Sequence, residues 1–231
     1  LLNKTGYTDL DVILSKSNTP LPVQFFEELA QKKETLVLDV RTQQEFIKGH
    51  IPGAIFIGLN GSFAPWVGAL IADIKQPIIL VAPEGSSKEA ITRLARVGYE
   101  NSLGYLEGGM TSWIKAGKTT SQIKSISAEE FEQKSNTKGI QVLDVRKDVE
   151  YNSEHLHGNN VHHFSLESIN KKIDEIENQI DYHIYCGGGY RSVIAASILK
   201  GNGYNKIIDI AGGFAALKKT NLKMASKLCN A

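Results

Sequence analysis

The sequence predicts an α/β protein built as two tandem domains, each a mainly parallel, doubly wound sheet flanked by helices. Three observations lead there. One pattern of residues occurs twice along the 231 residues at one constant offset. The strand-length apolar runs are apolar throughout instead of alternating, as strands buried on both faces of a parallel sheet are. Between them lie stretches with apolar residues three and four apart, the period of a helix packed on one face. Strand and helix alternation is the pattern of that architecture.

The elements follow in order. Residues 1–19 read as a linker from a missing upstream domain, since the stretch has no initiator methionine. The first domain is expected at 20–118. "LPVQFFEEL", from Leu21, opens it as a helix; "TLVLDV", "QPIILVA" and "SLGYLEG" are its predicted strands. "SKEAITRLARVGY" is a predicted amphipathic helix that stops at glycine. "GMTSWIKAGK" places Trp113 on a short helix, where so large a ring belongs in the core. A linker at 119–125 leads to the second domain, 126–231. Ser127 and Glu130 have the spacing of a capping box that opens its first helix. "IQVLDV", "YHIYC" and "NKIIDIAGG" are predicted strands, and "RSVIAASILKGNGY" is a second amphipathic helix.

The repeat is specific. Asp-Val-Arg triplets begin at Asp39 and Asp144, followed by Glu45 and Glu150, His50 and His155, and Gly53 and Gly158. Glycine pairs close both copies, Gly108-Gly109 and Gly212-Gly213.

The net charge is +1 with 22% charged residues, so neither a nucleic-acid partner nor an anionic membrane surface is indicated. No apolar run has the length of a membrane span. Of the two cysteines, Cys186 stands beside three glycines and Cys229 in the polar tail "KLCNA". That placement suits a free thiol in a reducing, cytoplasmic setting better than a structural bridge.

The copies differ where chemistry would reside. In "HIYCGGGYRS" a strand ends at Cys186, and Gly187, Gly188, Gly189, Tyr190, Arg191 and Ser192 lead into a helix. Ligands of open α/β sheets collect at such strand ends. Glycines let successive N–H groups turn inward as an anion-binding nest, and the helix adds the positive end of its dipole. Both favour a thiolate, the nucleophilic form of cysteine. Arg191 brings a fixed positive charge near the rim or, in so tight a loop, folds its head back to pair structurally. In the first copy "IILVAPEGSS" places Val81 at the position of Cys186 and Ser86 at that of Arg191 by the constant offset. Pro83 there has no N–H and Glu84 has the wrong charge, so the first copy is read as empty. The intact Asp39 and Arg41 of that empty copy are then structural, and so by parity are Asp144 and Arg146. His155, His157, His162 and His163 look metal-like, but His50 holds the position of His155 in the first copy, so that one is a fold element, and with no carboxylate or cysteine partner close in sequence no metal site is expected.

These residues together resemble the rhodanese family of sulfurtransferases over both repeats: "DVR" with its downstream glutamate, "GHIPGA", the loop "CGGGYRS" and the late "GY…GG". The resemblance implies that Cys186 carries sulfur. Its thiolate would attack the outer sulfur of thiosulfate or a low-molecular-weight persulfide, and the persulfide formed would pass to a thiol or cyanide. Loop N–H groups from Gly187 to Ser192 would bind that sulfur, with no cofactor and no metal. Dual-specificity phosphatases of the same fold use a loop one residue longer than this Cys-x4-Arg, which makes phosphatase the minor alternative. Glycines at 187 and 188, where some thiosulfate-active relatives have cationic side chains, leave room for a bulkier persulfide such as that of glutathione. An empty copy followed by an armed one is similar to the C-terminal part of metallo-β-lactamase-fold hydrolases, including persulfide dioxygenase-like proteins. That resemblance implies an upstream metal-hydrolase domain as partner; a non-catalytic docking or regulatory module of such a hydrolase is the alternative function.

Overall fold

The computed structural model describes residues 9–137 and 139–227; Cys229 lies outside them. In chain order the first repeat contains α1 (Leu10–Ser17), β1 (Pro20–Leu21), α2 (Val23–Ala30), β2 (Leu36–Asp39), α3 (Gln43–Lys48) and β3 (Ile55–Phe56). It continues with α4 (Phe63–Leu70), β4 (Ile78–Val81), α5 (Ser87–Arg96), β5 (Ser102–Leu106) and α6 (Gly109–Lys115). The second repeat has β6 (Lys124–Ile126), α7 (Ala128–Lys134), β7 (Gln141–Asp144), α8 (Asp148–Ser153), β8 (His155–Leu156), β9 (Val161–His163) and α9 (Ile169–Lys172). It ends with β10 (Tyr182–Tyr185), α10 (Tyr190–Gly201), β11 (Ile207–Ile210), α11 (Gly213–Leu217) and β12 (Met224–Ala225).

Each repeat builds a five-stranded parallel sheet, in the order β1-β5-β4-β2-β3 and β6-β11-β10-β7-β9. The predicted strands occupy corresponding places, and all four residues of β4 and of β10 are buried, as apolar runs without alternation require. The chain forms two compact units. One holds the residues up to Thr42 with His50–Ser121, the other Gln43–Gly49 with the residues from Gln122 onward. The helix α3 therefore groups with the second unit, where the Ile123 N–H donates to the Ile47 carbonyl.

Three expectations change. The stretch read as a linker contains α1, capped by the Asp9 carboxylate on the Asp11 N–H, with Ile13 and Ser17 buried. A linker would have left those side chains in water. The helix α10 is buried from Ser192 to Leu199 without interruption, whereas α5 buries one face; only α5 is amphipathic as predicted. The Ser127 hydroxyl accepts the Glu130 N–H at 3.1 Å as the capping box requires, but the Glu130 carboxylate pairs with Lys134 instead of turning back. Trp113 is buried edge-on to Phe26 and its Nε1–H donates to the Thr119 carbonyl.

Candidate active site

The Asp-Val-Arg triplet is a brace. Asp144 is fully buried and accepts from the Arg146 backbone N–H at 3.0 Å, from its Nε and, at 2.6 Å, from its Nη2. Arg146 also donates to the Glu154 carbonyl at 2.8 Å, and its guanidinium lies 3.8 Å from the centre of the Phe214 ring. Asp39 and Arg41 repeat the chelate at 3.1, 3.0 and 2.6 Å. A buried charge is tolerated when paired and hydrogen-bonded. The same geometry in both copies makes it part of the fold.

The brace sets β7 beside β10, whose last residue, Tyr185, pairs with Asp144. Cys186 follows at the carboxyl end of the strand, 1% exposed. Its carbonyl accepts from the Phe214 N–H at 2.6 Å, and the Gly187 carbonyl accepts from the Ala215 N–H at 3.0 Å. The first turn of α11 thus ties down the loop. Gly212 and Gly213 make this approach possible: both sit at positive φ, and a Cβ on Gly213 would collide with the Cys186 carbonyl.

Within the loop the Gly189 N–H donates to Cys186 Sγ at 3.1 Å. Gly189 has φ +103° and caps α10, so the sulfur lies at the amino end of a helix of 12 residues. Gly188 is exposed, with open space where a Cβ would stand and no left-handed φ. The glycine that the loop conformation demands is therefore Gly189.

Arg191 does not stand free at the rim. Its Nη1 and Nη2 donate to Glu150 Oε2 and Oε1 at 2.5 and 2.7 Å, a bidentate pair. The glycine at 187 leaves room for it: a Cβ there would lie 2.9 Å from Arg191 Nη2. Hydrogen bonding to Arg191 holds the Glu150 carboxyl below the usual carboxylate range, and the same bond raises Arg191. Ser192 turns inward too, fully buried, its Oγ 2.7 Å from Asp209 Oδ1. Tyr190, half-buried, begins α10. The structure thus brings the Gly189 N–H of the 186–189 loop onto the sulfur and places Tyr190, Arg191 and Ser192 in the first turn of α10, with the Arg191 and Ser192 side chains directed to protein partners.

Strand register corrects the counterpart of Cys186. Asp39 pairs with Val81 as Asp144 pairs with Tyr185, so Val81 matches Tyr185 and Ala82 matches Cys186. A Cβ on Gly109 would meet the Ala82 carbonyl, as one on Gly213 would meet that of Cys186. The helical residues after the loop keep the original offset: Tyr99 N–H donates to Leu94 as Tyr204 N–H donates to Leu199. The first copy's loop is therefore one residue shorter, which a single offset along the sequence hides.

The histidines have other partners. His155 and His163 stack on Tyr151, with ring centroids 4.1 and 4.3 Å away, and their nitrogens meet the Tyr151 and Arg146 carbonyls. His162 Nε2 meets Gln141 Oε1 at 2.7 Å. Asp209 was not singled out by its sequence; the signal was an ionisable residue within the apolar run "IIDI".

Comparison with known proteins gives a consistent result. The model of the rhodanese-like domain matches residues 23–116 and again 127–220. The thiosulfate sulfurtransferase GlpE of Shewanella oneidensis is 30% identical over 97 residues, 42% of this chain and 92% of that protein. YrkF of Bacillus subtilis, proposed in its name to be a sulfur carrier, is 33% identical over 99 residues, 42% of this chain. The chain spans about half the length of that relative, 52%. A solved rhodanese-like domain protein of Staphylococcus aureus aligns with 45% of this chain and 100% of its own, at 28% identity and a TM-score of 0.40.

Proposed function

The chain belongs to the rhodanese family, and from that premise we propose that its second repeat is a sulfurtransferase or sulfane-sulfur carrier with Cys186 as the sulfur-bearing residue. The observation that carries the proposal is the Gly189 N–H aimed at Cys186 Sγ from the amino end of α10. An N–H and a helix terminus aimed at one sulfur stabilise negative charge there.

The reaction is a double displacement. The Cys186 thiolate attacks the outer sulfur of the donor; the donor's S–S bond breaks, and sulfite leaves thiosulfate with the bonding electrons. The product is a Cys186 persulfide whose terminal sulfur bears the charge. An acceptor thiolate or cyanide then attacks that sulfur, and the Cys186 thiolate leaves. The Arg191–Glu150 pair neutralises the cation nearest the loop, which favours a low-molecular-weight persulfide over the thiosulfate dianion and disfavours a phosphate cradle. The order of an empty and then an armed copy supports, as part of the same proposal, an upstream metallo-β-lactamase-fold hydrolase as partner.

The test is the intact mass of the chain after incubation with thiosulfate or with glutathione persulfide. A gain of one sulfur, abolished in Cys186→Ser, is expected. No gain with either donor would leave the docking module as the better reading.

A further inference from the structure

The armed copy contains a buried carboxylate for which the displacement at Cys186 has no direct use. Asp209 lies in β11, 2% exposed, opposite Ile184 of β10 on one side and Ser125 of β6 on the other. Its Oδ1 is 2.7 Å from Ser192 Oγ and its Oδ2 is 2.9 Å from Ser125 Oγ. Ser192 Oγ is also 2.9 Å from the carbonyl of Gly189, the residue whose N–H meets the sulfur.

A hydroxyl has one hydrogen to donate. Beside an ionised Asp209, Ser192 can serve the carboxylate or the Gly189 carbonyl, and the remaining contact sets two acceptors against each other. A proton on Oδ1 resolves this. The acid then donates to Ser192 Oγ, Ser192 donates to Gly189, and Ser125 donates to Oδ2. Burial acts in the same direction and raises the Asp209 carboxyl above its ordinary value, against the two serine hydrogen bonds, which lower it.

The empty copy has no such network. Strand register sets Tyr105 opposite Leu80 as Asp209 is opposite Ile184, and Pro20 beside Tyr105 as Ser125 is beside Asp209. Ser87, which matches Ser192, is bonded to Asn18 instead. The carboxyl and both of its contacts occur in the copy that has the cysteine.

We propose that Asp209 is a positioning residue of the sulfur-bearing loop: as a neutral acid it donates to Ser192 and so leaves the Ser192 hydroxyl to fix the Gly189 backbone against Cys186. Loss of the proton turns Ser192 to the carboxylate and releases the Gly189 carbonyl. Loop order and sulfur transfer then fall as pH rises through the Asp209 titration. The effect on transfer rests on the sulfurtransferase reading; the effect on the loop does not.

The experiment uses the full chain, its Asp209→Asn variant, whose amide can donate to Ser192 but cannot ionise, and Asp209→Ala. The infrared spectrum of the wild type minus Asp209→Asn is expected to show a protonated-carboxyl band that persists above the ordinary aspartate value of about 3.9 and disappears at higher pH. Read in a Cys186→Ser background, so that the thiol bonded to the Gly189 N–H does not contribute, the Gly189 amide resonance should shift with the same midpoint when Asp209 is intact and not in Asp209→Asn. That control separates Asp209 from the other titratable groups on the elements packed against it: Lys124 on β6, Tyr182, His183 and Tyr185 on β10, and Tyr190, Arg191 and Lys200 on α10. With thiosulfate as probe donor, Asp209→Ala is expected to slow single-turnover transfer by roughly tenfold to a hundredfold, as a misplaced group does. Asp209→Asn should recover most of that loss. Absence of the protonated band, or a Gly189 titration that persists in Asp209→Asn, overturns the proposal. The expected infrared and amide behaviour without sulfur transfer in any variant, from thiosulfate or from glutathione persulfide, overturns the proposed function and leaves the Asp209 assignment standing.

Discussion

A side chain at position 189 would have to occupy φ +103°, and its Cβ would come within 3.3 Å of Gln43 Nε2 and 3.5 Å of the Gly212 nitrogen. Strain of that kind costs about 1–3 kcal/mol. The loop can relieve it by relaxing, which turns the Gly189 N–H away from the sulfur. Gly189→Ala is therefore expected to slow single-turnover sulfur transfer by roughly a hundredfold or more, the effect of losing one such donor. Gly188→Ala, exposed and unstrained, should cost far less; the reverse order of the two variants would refute the loop geometry. Glu150 gives a second measurement at this scale. Its folded pKa is depressed, first by hydrogen bonding to Arg191, so the pair's contribution is present above the unfolded value and lost as pH falls through the folded one. A carboxyl-carbon NMR titration should place Glu150 below about 4.3, the ordinary glutamate value, and Arg191→Gln should bring it back up.

Elements explain what residue patterns alone misjudge. The helix α10 follows the three-and-four spacing of an amphipathic helix, yet every residue from Ser192 to Leu199 is buried. Ser192 and Ser197 endure this because Ser192 bonds Asp209 and Ser197 Oγ donates to the Ile194 carbonyl. The strand β10 carries the analogous oddity, His183, 4% exposed, packed against Phe131 and with no partner for Nδ1 among the described residues. Burial, opposed by Asp181 and aided by the lysines at 124 and 134, lowers its pKa and so favours the neutral ring. A histidine with a depressed folded pKa gives stability that is present above its unfolded value of about 6.5 and is lost as pH falls below it. Stability of the wild type to denaturant should therefore fall as pH falls below about 6.5, and His183→Phe should flatten that slope. An unchanged slope in the variant would remove His183 from the account.

At the scale of the whole molecule the two repeats are a natural experiment: one fold, one brace, one glycine pair, and only one loop with a thiol. The graft that tests this is Ala82→Cys in a Cys186→Ser background. Pro83 still lacks an N–H, Glu84 still repels an anion, and the loop is still a residue short, so no sulfur should be gained where Cys186 loads. Loading at a comparable rate would show that the loop's donors do not matter. The repeat and the parallel sheets were legible in the chain, and so was a cysteine in one loop and not in the other. Strands such as "IILV" and "YHIY" declare themselves by composition, and the Asp-Val-Arg and Gly-Gly signatures mark places where only those residues satisfy a buried charge or a positive φ. Tertiary structure alone decided that Ala82 and not Val81 matches Cys186, that Arg191 is spent on Glu150, and that Asp209 reaches the loop through Ser192. Those facts depend on register between strands and on hydrogen bonds across 17 and 41 positions of chain, which local pattern does not encode. Sequence determines which groups are present; the fold determines which of them share a proton.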